Sequence, residues 1–328
     1  MMRTLLAALG CALTLAATAV LAEGEGRGVG YAATGPVFDL PVNIHIERQD
    51  VHISLRSVRL TYVFKSSGRQ SVHFSFTMPD MPVDASPDAI GVTKGNKAVG
   101  RAADTQPVNY LNLSVRVNDR PLALAGHGRA LRDGKDVTRQ LLDAGVPLLY
   151  DLDGEAPWKD LSPNVKAMLK ASNLLELDAA LWSYQASFEW DQSFEPGETR
   201  IEVSYAPVSN YWSDITLDAF PEIEPGGSAA KTYCIDDALR RAFHRKSGYE
   251  LYTVTHKIPS SGWRGPAGRY RLMVDKGAPA NLVTFCPPAA RKISPTTFAW
   301  TATSYTPGGA IGVLFFVDPD AVSSSERK

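Results

Sequence analysis

The chain has 328 residues, 44% of them hydrophobic and 21% charged, with a formal net charge of −1. Such composition belongs to a globular chain, not a disordered one. No basic stripe is present to hold a phosphate backbone, and no Lys/Arg-rich amphipathic segment to attract anionic lipid, so nucleic acid and membrane surface are not expected partners.

The chain opens with Arg3, an apolar run from Leu5 to Leu21, and small or compact residues at Val20-Leu21-Ala22. This order predicts a cleaved signal peptide over residues 1–22, hence a periplasmic or secreted protein with no transmembrane segment left after cleavage. An uncleaved anchor, or a lipoprotein acylated at Cys11, are the alternatives. Cleavage removes Arg3 and no acid, so 34 − 1 = 33 basic residues face 35 acidic ones and the mature net charge is −2. Residues 23–36, glycine-rich at their start, are expected to form a flexible leader.

Period-two alternation then dominates and predicts strands. Val42, Ile44 and Ile46 share one face, as do Val51, Ile53 and Leu55, and then Val58, Leu60, Tyr62 and Phe64. With Ser66-Ser67-Gly68 as turn and Val72, Phe74 and Phe76 following, residues 57–78 read as a β-hairpin stopped by Met78-Pro79. Leu111 to Val117 is the cleanest half-buried strand, and Tyr184–Trp190 and Ile201–Tyr205 follow. Helices are expected at Asp136–Ala144, from Ser162-Pro163 through Leu169, and at Asp236–His244, where first-turn acids and last-turn bases match the helix dipole. Further strands are expected at 251–255, 269–274, 282–285, 297–301 and 311–317.

The predicted fold is mainly β. An antiparallel β-sandwich over residues 37–212 carries a helical insertion at about 131–181. A Pro/Gly-rich linker at 213–228 leads to a second, smaller β-rich unit at 229–318 carrying one helix, and 319–328 is a disordered tail.

Once Cys11 has left with the signal peptide, Cys234 and Cys286 remain, an even pair in an oxidising compartment. A disulfide would close a loop of about 53 residues, worth about 4 kcal/mol in the chain-entropy picture. Two inert buried thiols, or a two-thiolate metal site lacking further ligands at suitable spacing, are the alternatives.

Several blocks then occur in one order: Val58-Arg59-Leu60-Thr61-Tyr62-Val63-Phe64 with Met78-Pro79-Asp80, Gly134-Lys135-Asp136-Val137-Thr138, and Trp190-Asp191-Gln192-Ser193-Phe194 leading to Tyr205-Ala206-Pro207. Next come Tyr233-Cys234-Ile235-Asp236-Asp237, Gly262-Trp263-Arg264-Gly265-Pro266, Val274-Asp275-Lys276-Gly277, Phe285-Cys286 and Ser294-Pro295-Thr296-Thr297-Phe298. In this succession the chain resembles the bacterial secreted family catalogued as domain of unknown function 4424, over roughly residues 42–317. Gly30-Tyr31-Ala32-Ala33 and Phe194-Glu195-Pro196 depart from the family's usual pattern. The resemblance implies secretion and a shared fold, and no reaction or ligand.

Chemistry must therefore be sought in the residues. No metalloprotease, nucleophile-elbow, P-loop or C-x-x-C motif occurs. Ser228-Ala229-Ala230-Lys231 and Lys246-Ser247-Gly248 echo penicillin-interacting enzymes, but too little chain separates them. His45 and Glu47, with His52 and His73 nearby, read as a solvated sheet face, so neither a metal nor a cofactor is expected. Asp236 and Asp237 read as helix-end stabilisers. The specific binding candidates are Trp263 and Arg264, two large side chains in the turn-rich stretch Ser260–Gly268 and of types enriched in binding hot spots. The other reading of Trp263 is a lid folded back on the core. The sequence thus points to a non-catalytic binding or scaffold module of the cell envelope, engaging a protein, a glycan or a small ligand. The alternative is an extracytoplasmic hydrolase whose residues converge only in three dimensions.

Overall fold

The computed structural model describes residues 32–83, 108–148, 160–177, 179–212, 223–246, 248–286 and 289–321. The predicted signal peptide, most of the leader, residues 213–222 of the linker and most of the tail lie outside these residues.

The fold is mainly β, built around one wide sheet. Its eight strands run, edge to edge, Arg291–Lys292, Thr297–Tyr305, Ala267–Asp275, Ile44–Ser54, Val58–Ser66, Gly197–Tyr205, Ser114–Val117 and Arg120–Pro121. A six-stranded sheet runs Lys135–Asp136, Ala125–Arg132, Ser183–Phe194, Gln70–Thr77 and Val37–Phe38, with Met81–Pro82 also on strand 183–194. A five-stranded sheet runs Ala33–Thr34, Glu250–Lys257, Ala310–Val317 and Leu282–Phe285, with Ser209–Trp212 also on strand 250–257.

Both smaller sheets cover the same face of the wide one. Alternation in strand 58–66 turns Val58, Leu60, Tyr62 and Phe64 inward, all with 1% exposure or less. Against them the six-stranded sheet packs Phe38, 5.5 Å from Phe64 in edge contact, and Phe74, 6.0 Å from Phe64. The five-stranded sheet reaches the same inner face through His256, whose Nδ1 lies 2.7 Å from the Tyr205 hydroxyl.

Residues 57–78 are not a hairpin. Strand 58–66 pairs with 44–54 and 197–205 in the wide sheet, whereas strand 70–77 pairs with 183–194 and 37–38 in the six-stranded one. The turn carries the chain across the sandwich. Ser66 is buried and its hydroxyl donates to the Gly68 carbonyl at 2.6 Å, bending the chain out of the ladder. A second crossing at 194–197 lies beside it, and Arg69 pairs with Glu195 at 2.9 Å between the two corners.

The expected division at 213–228 does not coincide with the division into sheets. Strand 267–275 pairs in parallel with 44–54, from Arg269 opposite Arg48 to Asp275 opposite Ser54. The main core is shared likewise, joining Val254, Tyr270 and Phe315 to Phe64 and Phe74. The smaller cluster, around Tyr233, Phe243 and Phe316, draws only on residues beyond 222. Alternation tells which face of a strand is buried but not which strand lies alongside, so the pairing could not be read from it.

Other expectations are refined. The insertion starts later, because Ala125–Arg132 and Lys135–Asp136 belong to the six-stranded sheet. Its helices are Thr138–Asp143 and Pro163–Ala171, the second capped by Ser162, whose hydroxyl accepts from Val165 N at 3.4 Å. Asp236 caps Asp237–Phe243 by accepting from Leu239 N at 2.7 Å. Leu111–Val117 keeps its alternation, but only Ser114–Val117 forms a ladder. Asn112 sits at φ 52° and the Asn109 side chain bonds both backbone groups of Leu113, which closes a turn there. Ala33–Thr34, assigned to the flexible leader, is a short strand parallel to His256–Lys257.

Candidate functional site

Chain and N-terminal segment meet at one edge of the sandwich, beside the loop after strand 250–257. There the 260–266 stretch is clamped onto residues 38–40. Leu40 N donates to the Gly262 carbonyl at 3.0 Å, and Arg264 Nε donates to the Leu40 carbonyl at 2.7 Å. Arg264 Nη2 also approaches Asp39 Oδ1 at 3.4 Å. A β-carbon on Gly262 would come 1.7 Å from the Phe38 carbonyl oxygen, so only glycine permits this backbone approach.

Trp263 points inward. It is 7% exposed and meets Tyr62 edge-on at a ring distance of 6.4 Å. The lid reading therefore describes its packing, and what the loop leaves accessible is Arg264, whose side chain is 54% exposed.

Next to the clamp lies an open hollow of about 450 Å³ lined by Val37, Phe38, Asp39, His73, Ser75, Ser261 and Gly262. Strand 37–38 supplies its floor, pairing Val37 with Ser75 and Phe38 with Phe74. His73 stands on the outer face of the six-stranded sheet because its neighbours Val72 and Phe74 face the core. Its Nδ1 lies 3.0 Å from Asp191 Oδ1 on the adjacent strand, directly opposite in register. The carboxylate can thereby fix the ring and leave Nε2 facing outward. Sequence reasoning passed over Asp39, which carries no motif, met Ser75 and Ser261 only as members of a strand and of the turn-rich stretch 260–268, and read His73 only as one residue of a solvated face.

Below the rim, Gln49 has no exposed surface and stands in register between Tyr62 and Tyr270 on the neighbouring strands. Burial raises the hydroxyl pKa of Tyr62, Tyr205 and Tyr270 and lowers His256 to about 4. His256 is neutral at pH 7, and its Nε2 has no hydrogen-bond partner among the described residues.

Cys234 and Cys286 are joined by a disulfide with Cα atoms 5.4 Å apart. It ties the turn before helix 237–243 to the end of strand 282–285, where the Thr284 hydroxyl also donates to the Tyr233 carbonyl at 2.7 Å. Among the described residues no group of three or more His, Cys, Asp or Glu side chains could hold a metal ion, and His45, Glu47, His52 and His73 are not brought together. No helix among them is long and apolar enough to cross a membrane.

These features define a mainly β sandwich protein with one wide sheet, a clamped N-terminal segment and a disulfide at the turn before helix 237–243. The family described as domain of unknown function (DUF4424) matches residues 24–314, and the chain belongs to it. A crystal structure titled as a "putative nutrient binding protein" from Legionella pneumophila is similar over 90% of this chain and 79% of its own, at 12% identity and a TM-score of 0.42. No curated protein matches the chain.

Proposed function

We propose that the mature chain is an exported, non-catalytic binding module of the cell envelope that takes a small polar ligand in the hollow beside the 260–266 clamp. One observation carries this reading. The hollow has a size suited to a small ligand, the exposed apolar side chain of Val37 on its floor, and Asp39, His73, Ser75 and Ser261 around it. Carboxylate, imidazole and hydroxyls favour a ligand that donates hydrogen bonds, such as an amine or a polyol. The clamp holds Asp39 in place before any ligand arrives, which lowers the ordering cost of binding.

The test is a thermal-shift screen of the mature protein against amines, sugars and short peptides. A hit should raise the melting midpoint, and Asp39→Ala with His73→Ala should abolish the rise while leaving the ligand-free midpoint within a few degrees. A hit that binds the double variant equally well would overturn the assignment to this hollow.

A hydrolase is the second reading, favoured by the 3.0 Å contact of His73 Nδ1 with Asp191 in a hollow that also holds two serines. Turnover of an activated ester, lost in His73→Gln, would replace the binding reading with this one.

A further inference from the structure

The wide sheet is covered on its inner face by the two smaller sheets, and its outer face is polar and half-exposed to exposed along most of its strands. Strand register places its outward residues in rows. One row crosses the sheet as Arg200, Val63, Arg48, Arg269 and Thr303. The next is Arg116, Glu202, Thr61, Asp50, Arg271 and Thr301. A third is Ser204, Arg59, His52, Met273, Ala299 and Arg291.

These rows hold seven arginines and two acids, a formal charge of 7 − 2 = +5, although the whole chain carries −1. Charge here is sorted, not scattered. The acids that reach these rows are already engaged, Asp50 with Arg48 at 3.2 Å, Glu202 with Arg200 at 3.1 Å, and Asp119, from the adjoining turn, with Arg200 at 3.0 Å. Arg269 is placed directly opposite Arg48, an arrangement that costs stability, since like charges facing each other across strands repel. Nothing in the packing of the sheet requires it: Arg269 is exposed, and its neighbour Tyr270 supplies the inward anchor.

We propose that this face is a docking surface for a carboxylate-bearing polysaccharide, separate from the hollow. Guanidinium forks match carboxylates in a planar, two-bond geometry that ammonium groups cannot reproduce. Thr301, Thr303 and Ser204 lie in the same rows, are accessible, and can bond the hydroxyls of sugar rings. No Phe, Tyr or Trp stands in these rows to stack a nucleobase, which disfavours single-stranded nucleic acid. Nor is there an apolar or aromatic centre of the kind that anchors a protein partner, the outward apolar residues being Val63, Met273 and Ala299. A flat face without walls suits a polymer laid across strands and held at several points.

The test uses polygalacturonate as probe, with dextran as the uncharged glycan, single-stranded DNA, and vesicles containing phosphatidylglycerol. The protein should bind polygalacturonate and not dextran, with binding that weakens steeply as salt rises. Arg269→Gln with Arg271→Gln should reduce the affinity at least tenfold, and Asp50→Asn should increase it. Both side chains point outward, so the thermal midpoint of the double variant should match the parent. If it does not, Arg59→Gln with Arg291→Gln repeats the measurement on the third row. Equal binding by parent and both double variants, or no binding of polygalacturonate, would overturn the proposal. So would tighter binding of DNA or vesicles than of polygalacturonate at equal charge. Loss of binding in the arginine variants with an intact thermal-shift response in the hollow separates this surface from the small-ligand site.

Discussion

The two halves of the main core are held differently. Under the six-stranded sheet, Phe38, Phe64, Phe74, Trp190 and Phe194 form a continuous set of ring contacts, with Phe74 within 6.3 Å of each of the other four. That cluster contains no group that titrates near neutral pH. Under the five-stranded sheet the space is shared with Tyr205 and His256, so the same layer thickness is filled partly by hydrogen-bonding rings. Dispersion and apolar burial stabilise the first half at any pH, whereas the second depends on its imidazole staying neutral.

The largest effect should come from breaking the aromatic half. Phe74 has no exposed surface, and Phe74→Ala should cost about 3–5 kcal/mol, read as a lowered midpoint in urea titration. Trp263→Ala, at the border of the two halves, falls in the same range but at its lower end, since among the described residues its one ring contact is with Tyr62. A Trp263→Ala protein as stable as the parent would return that residue to the binding candidates.

Replacing Cys234 and Cys286 by Ser, or adding reductant, should lower stability by about 4 kcal/mol, the chain-entropy value for a sequence separation of 52. Loss of protection in hydrogen exchange should be greatest around helix 237–243 and strand 282–285. An unchanged midpoint would show that the hydrogen bonds of Thr284 already hold that corner.

Acid should separate the halves next. His256 has a folded pKa of about 4 against an ordinary 6.5, so the unfolded chain binds the extra proton between those values. Stability from keeping the imidazole neutral is fully present above pH 6.5 and is lost as pH falls toward 4, by about 3 kcal/mol. In His256→Gln that slope should vanish between pH 7 and pH 4, measured by urea denaturation at several pH values. Carboxylates with lowered pKa, among them Asp136, Asp237 and Asp318, lose their contribution only in still more acidic solution. Smallest should be Gln49→Leu, where an apolar group of similar length takes the place of a buried amide. A change within about 1 kcal/mol of the parent is expected.

The legible part of this molecule is the part that local physics decides. Ser162 and Asp236 announce their helices because a capping side chain acts within three residues. Val58, Leu60, Tyr62 and Phe64 announce a strand because they recur with period two, although Thr61 and Val63 between them are buried as well. The cysteine pair could be named because only two cysteines remain after residue 22. What escaped reading is set by distant partners. Strand 44–54 lies parallel to 267–275, and nothing in either sequence names the other. The turn at 66–69 looks like a hairpin turn, and its true role depends on which sheet receives Phe74. The hollow combines residues 37–39, 73, 75, 261 and 262, of which only Gly262 stands in one of the family's sequence blocks, so its existence is a property of the assembled edge. Trp263 was singled out for its residue type, and its type also explains its burial.

The clamp at Gly262 imposes an order in time. Arg264 and Leu40 are 224 positions apart. Residues 33–40 therefore leave the ribosome long before the strand and loop that receive them exist. Until residues 256–264 arrive, strand 37–38 lacks its outer support and the N-terminal segment has no parallel partner. Closing contacts over such separations is slow, because the entropy of the loop is lost before the contacts are gained. This early segment is thus among the last to be fixed. Until the final third of the chain completes the seam, that edge of the sandwich stays open.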